Sequence, residues 1–330
     1  MPVSTNPDDR YSVVYRYPAD GIGRKAAFVI PFGGNKGSLA WDSNKKLLYY
    51  GIGITNSPYS DFAVIDLNTQ TIVRKMSLFA QRDLGSGLSS YYERMHLTMS
   101  GDDLVAAWGT SGGNPHIKYR TFSFMKTADA GLTWTTMAGA AITPPIVADE
   151  TGPADHVDFS AYLDKTHVFI SNTFSNANTV SFIYTTYGDG AIVAPTLLHY
   201  ARYNKILKQV DIQNDNLKGA TFTLNGTKNQ IITLDSATST YQYVISLVSS
   251  PSNMLVVIRS ADGGLTWQDY ARAEVAPYGD RNKYLLEEVK ITKNVAVDGI
   301  IYGTITLSEK TTGKYFIRPF RLFVVRRVSV

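Results

Sequence analysis

Acids, bases and aromatic side chains gather in three short stretches of the 330-residue chain. The first holds Tyr91, Tyr92, Glu93, Arg94 and His96, the second Asp155, His156 and Asp158, and the third Asp280, Arg281, Lys283 and Tyr284. Glycoside cleavage by an acid and a base or nucleophile needs two carboxyl groups about 5 to 10 Å apart. Glu93 with Asp155 or Glu288 could supply the pair, with Tyr92 and Arg94 beside it. The plainer reading is a solvated rim that is polar because it meets water, with no catalytic set. No nucleophile elbow, phosphate-binding glycine loop, dinucleotide fingerprint or His-x-x-x-His pair occurs. The absence of cysteine excludes disulfides, thiolate metal sites and cysteine nucleophiles. No cofactor and no metal are expected. Asp66-Leu67-Asn68-Thr69-Gln70 spaces oxygens like a calcium loop, yet with no Gly sixth and no acid twelfth it reads as a hairpin turn. His96 and His167, set in apolar strands, read as core residues.

The elements that must position these stretches are strands. Runs of Val, Ile, Tyr, Thr and Phe alternate with Asn-, Ser-, Thr- and Gly-rich turns, and helix signals are poor. A repeat starts at Ser38, pairing an alternating strand with a more uniformly apolar one. Its copies are 38–42 with 47–52, 95–99 with 104–108, 157–163 with 167–170, 230–234 with 243–248, and 284–291 with 299–306. Third and fourth strands follow, such as 62–66 with 71–76 and 179–185 with 191–196. The stretch 203–226 is left over, as an inserted hairpin or half of a sixth repeat. Residues 1–36 carry two strands, 11–17 and 26–31, for closure or docking, and 37–330 form the repeat domain.

Two octets share one rule: Thr127-Ala128-Asp129-Ala130-Gly131-Leu132-Thr133-Trp134 and Ser260-Ala261-Asp262-Gly263-Gly264-Leu265-Thr266-Trp267. A hydroxyl residue is followed by Asp two on, Gly two further, then Thr-Trp. The Asp can accept backbone N–H groups, the Gly supplies a positive φ, and Thr restarts a strand. The Trp then turns inward and anchors one hairpin on its neighbour. This pattern resembles the Asp box, or BNR repeat, of sialidase-like β-propellers. The resemblance implies an all-β propeller of five or six four-stranded blades. In it Thr127, Asp129, Gly131, Thr133 and Trp134, with Ser260, Asp262, Gly264, Thr266 and Trp267, form structural turns between third and fourth strands. Residues 186–190 and 309–313 read as decayed copies. In a propeller the stretches before the first strands surround one mouth of the channel. Tyr91, Tyr92, Glu93, Arg94, Asp155, His156, Arg281 and Tyr284 are then its binding candidates.

Sialidases use three arginines, a tyrosine–glutamate pair, an aspartate and a Phe/Tyr-Arg-Ile-Pro motif near the N-terminus. The nearest string here, Phe316-Ile317-Arg318-Pro319, has its order changed and lies at the opposite end. No sialidase activity is expected. A net charge of +4 without a basic block predicts no nucleic-acid partner, and no apolar run is long enough for membrane insertion. Residues 1–10 lack the apolar stretch of a signal peptide. The resemblance extends to propellers of phage tails and nozzles. It implies a non-catalytic structural or receptor-facing virion component whose partners are other subunits of an assembly. The docking segments would be 11–31, 203–226 and 316–328, with Arg318, Arg321, Arg326 and Arg327 meeting acidic groups or carbonyls. The alternatives are a sialidase-like glycoside hydrolase acting on cell-surface glycans and a lectin-like propeller. Localisation on a virion has two alternatives, non-classical export and the cytoplasm.

Overall fold

The computed structural model describes residues 12–16, 25–30, 37–52, 61–80, 82–85, 88–112, 121–149, 151–158, 166–188, 198–214, 217, 230–233, 241–248, 252–275, 277–291 and 300–323. Among the described residues the regular elements are strands, with no helix. The fold is all-β, five small antiparallel sheets forming the blades of a five-bladed β-propeller. The chain divides into two compact units, residues 1–167 and 168–330.

In the first unit, β1 (Ser12–Arg16) and β2 (Lys25–Ile30) pair as a hairpin. The first blade is β3 (Ser38–Asp42), β4 (Leu47–Gly51), β5 (Phe62–Asp66) and β6 (Thr71–Met76), in that order. Next come β7 (Phe79–Ala80), β8 (Arg82–Gly85), β9 (Leu88–Ser100), β10 (Asp103–Gly112), β11 (Thr121–Thr127), β12 (Trp134–Thr135), β13 (Ala141–Ile142), β14 (Ile146–Val147) and β15 (Asp155–Asp158). The second blade runs β8-β9-β10-β11-β12-β13, with β15 also on β11, while β7 and β14 pair in parallel. Strand β5 is buried from Phe62 to Ile65, as a strand packed on both faces must be, whereas β6 is half solvated. Phe62 and Val64 join Trp108 and Trp134 in one core. Ala63 and Ile65 join Leu48, Tyr50 and the fully buried Ile30 in another, so the end of β2 packs on the first blade.

The second unit continues with β16 (Thr166–Ser175), β17 (Thr179–Gly188), β18 (Leu198–Asn204) and β19 (Gln209–Asn214) as the third blade. The fourth is β20 (Gln230–Thr233), β21 (Gln242–Val248), β22 (Met254–Ser260) and β23 (Gln268–Glu274). The fifth is β24 (Tyr284–Ile291), β25 (Ile300–Glu309) and β26 (Tyr315–Phe323). The fourth blade is apolar on both faces. Val244, Val256, Ile258 and Trp267 pack with Tyr200 of the third blade, while Ile245, Leu247 and Val257 pack with Leu286, Val289 and Ile305 of the fifth.

Three expectations need correction. Val157 and Asp158 do not begin the third blade, because they lie in β15 and pair with Phe122 and Thr121 of β11, while 159–163 lie outside the described residues. The physical reason is the brevity of β12, which meets β11 only at Lys126 and leaves the backbone from Thr121 to Phe124 for β15 to satisfy. The surplus stretch 203–226 is no half blade in its first part. Strands β18 and β19 are the third and fourth strands of the third blade, and residues 191–196, with Asn225 and Gly226, lie outside the described residues. Finally, residues 186–188 end a second strand, and 309–313 join β25 to β26, so neither occupies a turn between third and fourth strands.

Other hairpins close with a cheaper device. Asp42 Oδ1 accepts the N–H groups of Asn44 and Lys45, Asp66 Oδ1 those of Asn68 and Thr69, and Asn204 Oδ1 those of Ile206 and Leu207. Each turn ends on a left-handed residue, Lys46, Gln70 or Lys208. The 66–70 segment is thus the hairpin turn its sequence suggests.

Candidate functional site

The two octets form nearly superposable hydrogen-bond nets. Asp129 Oδ1 accepts the Thr127 hydroxyl at 2.9 Å and the Thr133 N–H at 2.9 Å, and Oδ2 accepts the Thr133 hydroxyl at 2.6 Å. Thr127 Oγ1 in turn accepts the Gly131 N–H at 2.8 Å. In the second copy Asp262 takes Ser260 at 2.7 Å, the Thr266 N–H at 2.9 Å and the Thr266 hydroxyl at 2.5 Å, and Ser260 Oγ takes the Gly264 N–H at 2.7 Å. Burial opposes ionisation of both aspartates, but hydrogen bonds led by the following threonine overcome it and hold both below the usual carboxylate range. Both oxygens of each carboxylate are engaged within the turn.

Each octet is clamped by the preceding blade in its own unit. Phe62 meets Trp134 edge to face at 5.4 Å and 78°, and Tyr200 meets Trp267 at 5.2 Å and 63°. Gly131 and Gly264 have φ of 81° and 100°. A Cβ there would approach Phe62 to 2.9 Å and Tyr200 to 2.3 Å, so these glycines serve both conformation and contact. Arg74 donates to the Ala130 carbonyl, and Arg202 donates to the equivalent Gly263 carbonyl at 2.9 Å. Arg202 is itself gripped by Asp211 through two bonds of 2.8 Å, and Asp211 is the residue by which β19 bulges against β18. Sequence reasoning missed Arg74, Arg202 and Asp211. The only signal is an arginine near an aromatic in the blade before an octet.

The stretch 91–94 belongs to β9 itself and not to a loop ahead of it. Tyr91, Tyr92 and Glu93 stand opposite Ser111, Thr110 and Gly109 of β10, and His96 stands opposite Ala107. Between these rows the register slips, so Arg94 and Met95 together oppose Trp108. A bulge of this kind re-aims side chains and is frequent next to active sites. The side chains of residues 91–94 lie outside the described residues.

Asp155 and His156 sit elsewhere in the same sheet. Asp155 pairs with Phe124 on β11, the row that continues through Ala107 to His96. Three strand spacings separate β15 from β9, roughly 14 Å. Asp155 Oδ2 accepts the Met137 N–H at 2.5 Å, and burial raises its carboxyl above the ordinary value against that bond and the nearby His156. The backbones of Glu93 and Asp155 thus lie on strands of one sheet, three spacings apart. Another acid was not singled out from sequence: Asp61 is fully buried, accepts the N–H groups of Leu78 and Phe79, and is pushed by burial to a pKa of about 8.

In the second unit the third stretch meets the arginine-bearing strand. Asn253, fully buried, donates through Nδ2 to the carbonyls of Tyr278 at 3.0 Å and Tyr284 at 3.1 Å. The two rings meet edge to face at 4.9 Å, and Phe316 joins them at 5.6 and 6.2 Å. Arg318 lies over Tyr278 at 5.1 Å and Phe316 at 5.9 Å, donating Nε to the Tyr278 hydroxyl at 2.8 Å and Nη2 to the same oxygen. Lys283 lies over Tyr284 at 5.3 Å, with Glu309 at 3.8 Å. Tyr284 and Arg318, assigned by sequence to a channel mouth and a docking edge, thus share one cluster. Arg281 is exposed nearby in the 280–284 turn. Arg321 lies over Tyr302 at 5.7 Å, and Arg326 and Arg327 fall outside the described residues. No group of three potential metal-ligating side chains occurs among the described residues.

No family model and no curated protein matches the chain. Solved structures do. A polysaccharide lyase of family PL25, an ulvan lyase, superposes with a TM-score of 0.66 at 13% identity, over 94% of this chain and 69% of its own. The same lyase bound to -[GlcA(1-4)Rha3S]- gives 0.66 at 14% identity, over 94% and 69%. The Hadza microbial sialidase Hz136 gives 0.45 at 9% identity, over 87% of this chain and 58% of its own. At these identities the lyase likeness establishes a shared fold.

Proposed function

We propose that this chain is a glycan-active propeller that cleaves an acidic polysaccharide, with the Tyr91–Arg94 run and His96 as its working residues and a place of action outside the cell. The observation that carries the reading is the concentration of Tyr91, Tyr92, Glu93, Arg94 and His96 on one strand whose register slips at Arg94 and Met95. The lyase fold is supporting analogy, since one fold hosts many activities. Between the two cleavage chemistries we favour elimination, whose residue types the β9 run supplies. Elimination from a uronate needs no second carboxylate. It requires a base for the proton next to the carboxylate, a cation to stabilise the charge that develops, and an acid for the leaving oxygen. Tyr, His and Arg are the residue types for those roles. The octets, read as Asp boxes, then carry structure alone.

The test is incubation of the purified chain with uronate, sulfated uronate and neutral polysaccharides, following new chain ends and the ultraviolet absorbance of an unsaturated uronate. Cleavage of the acidic polymers with that absorbance, lost in Arg94→Gln, supports the proposal. Cleavage of none overturns it. A second reading, a non-catalytic subunit of an assembly such as a virion, is favoured by one observation: Tyr315 and Ile317 of β26 are 71% and 66% exposed. Under that reading Tyr315→Ser with Ile317→Ser abolishes incorporation while no glycan is cleaved.

A further inference from the structure

The cluster around Arg318 has a geometry that a purely internal role leaves half used. A guanidinium has five N–H donors in a planar fork. Here the Nε and Nη2 side is spent on one acceptor, the Tyr278 hydroxyl, and two aromatic rings fix the plane. The Nη1 side donates to no described residue, and no described carboxylate pairs with Arg318, although its side chain is exposed. Asn253 holds the backbone under both Tyr278 and Tyr284, so the platform is built before any ligand arrives. A second cation, Lys283, rides on the adjoining ring, 54% exposed.

We infer that Arg318, seated on Tyr278 and Phe316 and assisted by Lys283, is a preorganised subsite for the carboxylate or sulfate of an extended acidic glycan. The ligand must be a planar or multidentate oxyanion, because a fixed guanidinium edge matches two oxygens at once. The choice of a glycan as the carrier rests on the proposed function. The subsite itself is a binding device, independent of any cleavage step and of the β9 stretch.

The experiment measures binding of the full chain, by affinity electrophoresis and by titration calorimetry, to polyglucuronate, dextran sulfate and neutral dextran. The wild-type chain should bind the charged polymers and not dextran. Arg318→Gln should weaken that binding about tenfold or more, the loss expected for a charge-assisted hydrogen-bond pair. Arg318→Lys should fail to restore it on polyglucuronate, since a lysine keeps the charge and loses the fork. Tyr278→Phe, which keeps the ring and frees the guanidinium, should weaken it less. Denaturant midpoints of the variants separate lost binding from lost folding. The polyglucuronate and dextran sulfate arms tell carboxylate from sulfate. Equal binding by wild type and Arg318→Gln, no binding to either charged polymer, or equal binding to dextran overturns the inference. Binding that depends on Arg318 in a chain that cleaves nothing would retain the subsite and reject the proposed activity.

Discussion

The 127–134 octet and the 260–267 octet share the bonds among hydroxyl residue, Asp, Gly and Thr and differ in what they are docked on. In the first, Phe62 is a purely apolar partner, Trp134 Nε1 is buried without a hydrogen bond, and Lys45 reaches the Ala128 carbonyl at 3.0 Å. In the second, Tyr200 adds a hydroxyl that meets Ser181 at 3.1 Å, and Trp267 Nε1 donates to the Gly264 carbonyl at 3.1 Å. Arg202 there is braced by Asp211, whereas no described carboxylate pairs with Arg74. The octet therefore encodes the turn and the inward tryptophan, while the neighbouring blade decides whether the aromatic partner of that tryptophan is apolar or carries a hydroxyl, and how its arginine is braced.

Removing the tryptophans should have the largest effect and should not distinguish the joints. Trp134→Ala and Trp267→Ala each delete a side chain at most 2% exposed and should cost about 3 to 5 kcal/mol in denaturant melts. A wild-type midpoint for either would show that the octet does not hold its blade to the next.

Proton linkage sharpens the comparison from the acid side. The lowered carboxyls Asp129 and Asp262 bind fewer protons folded than unfolded, so their stabilisation is complete above the unfolded carboxylate pKa and is lost as pH falls through the folded value. Asp61 runs the other way. With a folded pKa of about 8 its contribution is fully present below the unfolded value near 3.8 and is lost as pH rises to about 8. Asp61→Asn should flatten the decline of melting temperature between those limits, and Asp129→Asn should flatten the acid limb. An Asp61→Asn profile parallel to wild type would contradict the assignment.

The braced arginine comes next in size. Asp211→Asn removes a pair that is 18% and 14% exposed and should cost about 1 to 2 kcal/mol, reduced by the solvent that still reaches it. Smallest is the difference between Trp267→Phe and Trp134→Phe. Both lose indole volume, but only the first loses a hydrogen bond, so it should be the worse by about 1 kcal/mol. Equal costs would mean the two joints are alike in energy despite their different partners.

How legible all this was depends on the range of the interaction that decides it. The octets were readable because Thr127 to Trp134 is a local circuit, with each bond spanning four residues or fewer. The all-β repeat was readable from strand composition. The place of residues 155–158 was not, because it depends on β12 being two residues long and on β11 needing a partner beyond it. The leftover hairpin was misjudged for a related reason. Strand β17 runs for 10 residues and pushes the third strand past residue 197. Among site residues, Tyr284 and Arg318 were each noticed, but their meeting depends on Asn253 and Tyr278, which carry no local pattern. Arg202 and Asp211 are nine positions apart and join only because a bulge turns Asp211 toward its partner.

The central claim is that glycan chemistry and blade-to-blade stability reside in different residues. It is tested most directly by measuring depolymerisation of an acidic polysaccharide and the denaturant midpoint together, in wild type, Arg94→Gln and Trp134→Ala. The account predicts that Arg94→Gln abolishes cleavage at an unchanged midpoint, while Trp134→Ala lowers the midpoint and leaves the folded fraction able to cleave. Cleavage unaffected by Arg94→Gln, or absent from the wild-type chain, would contradict it.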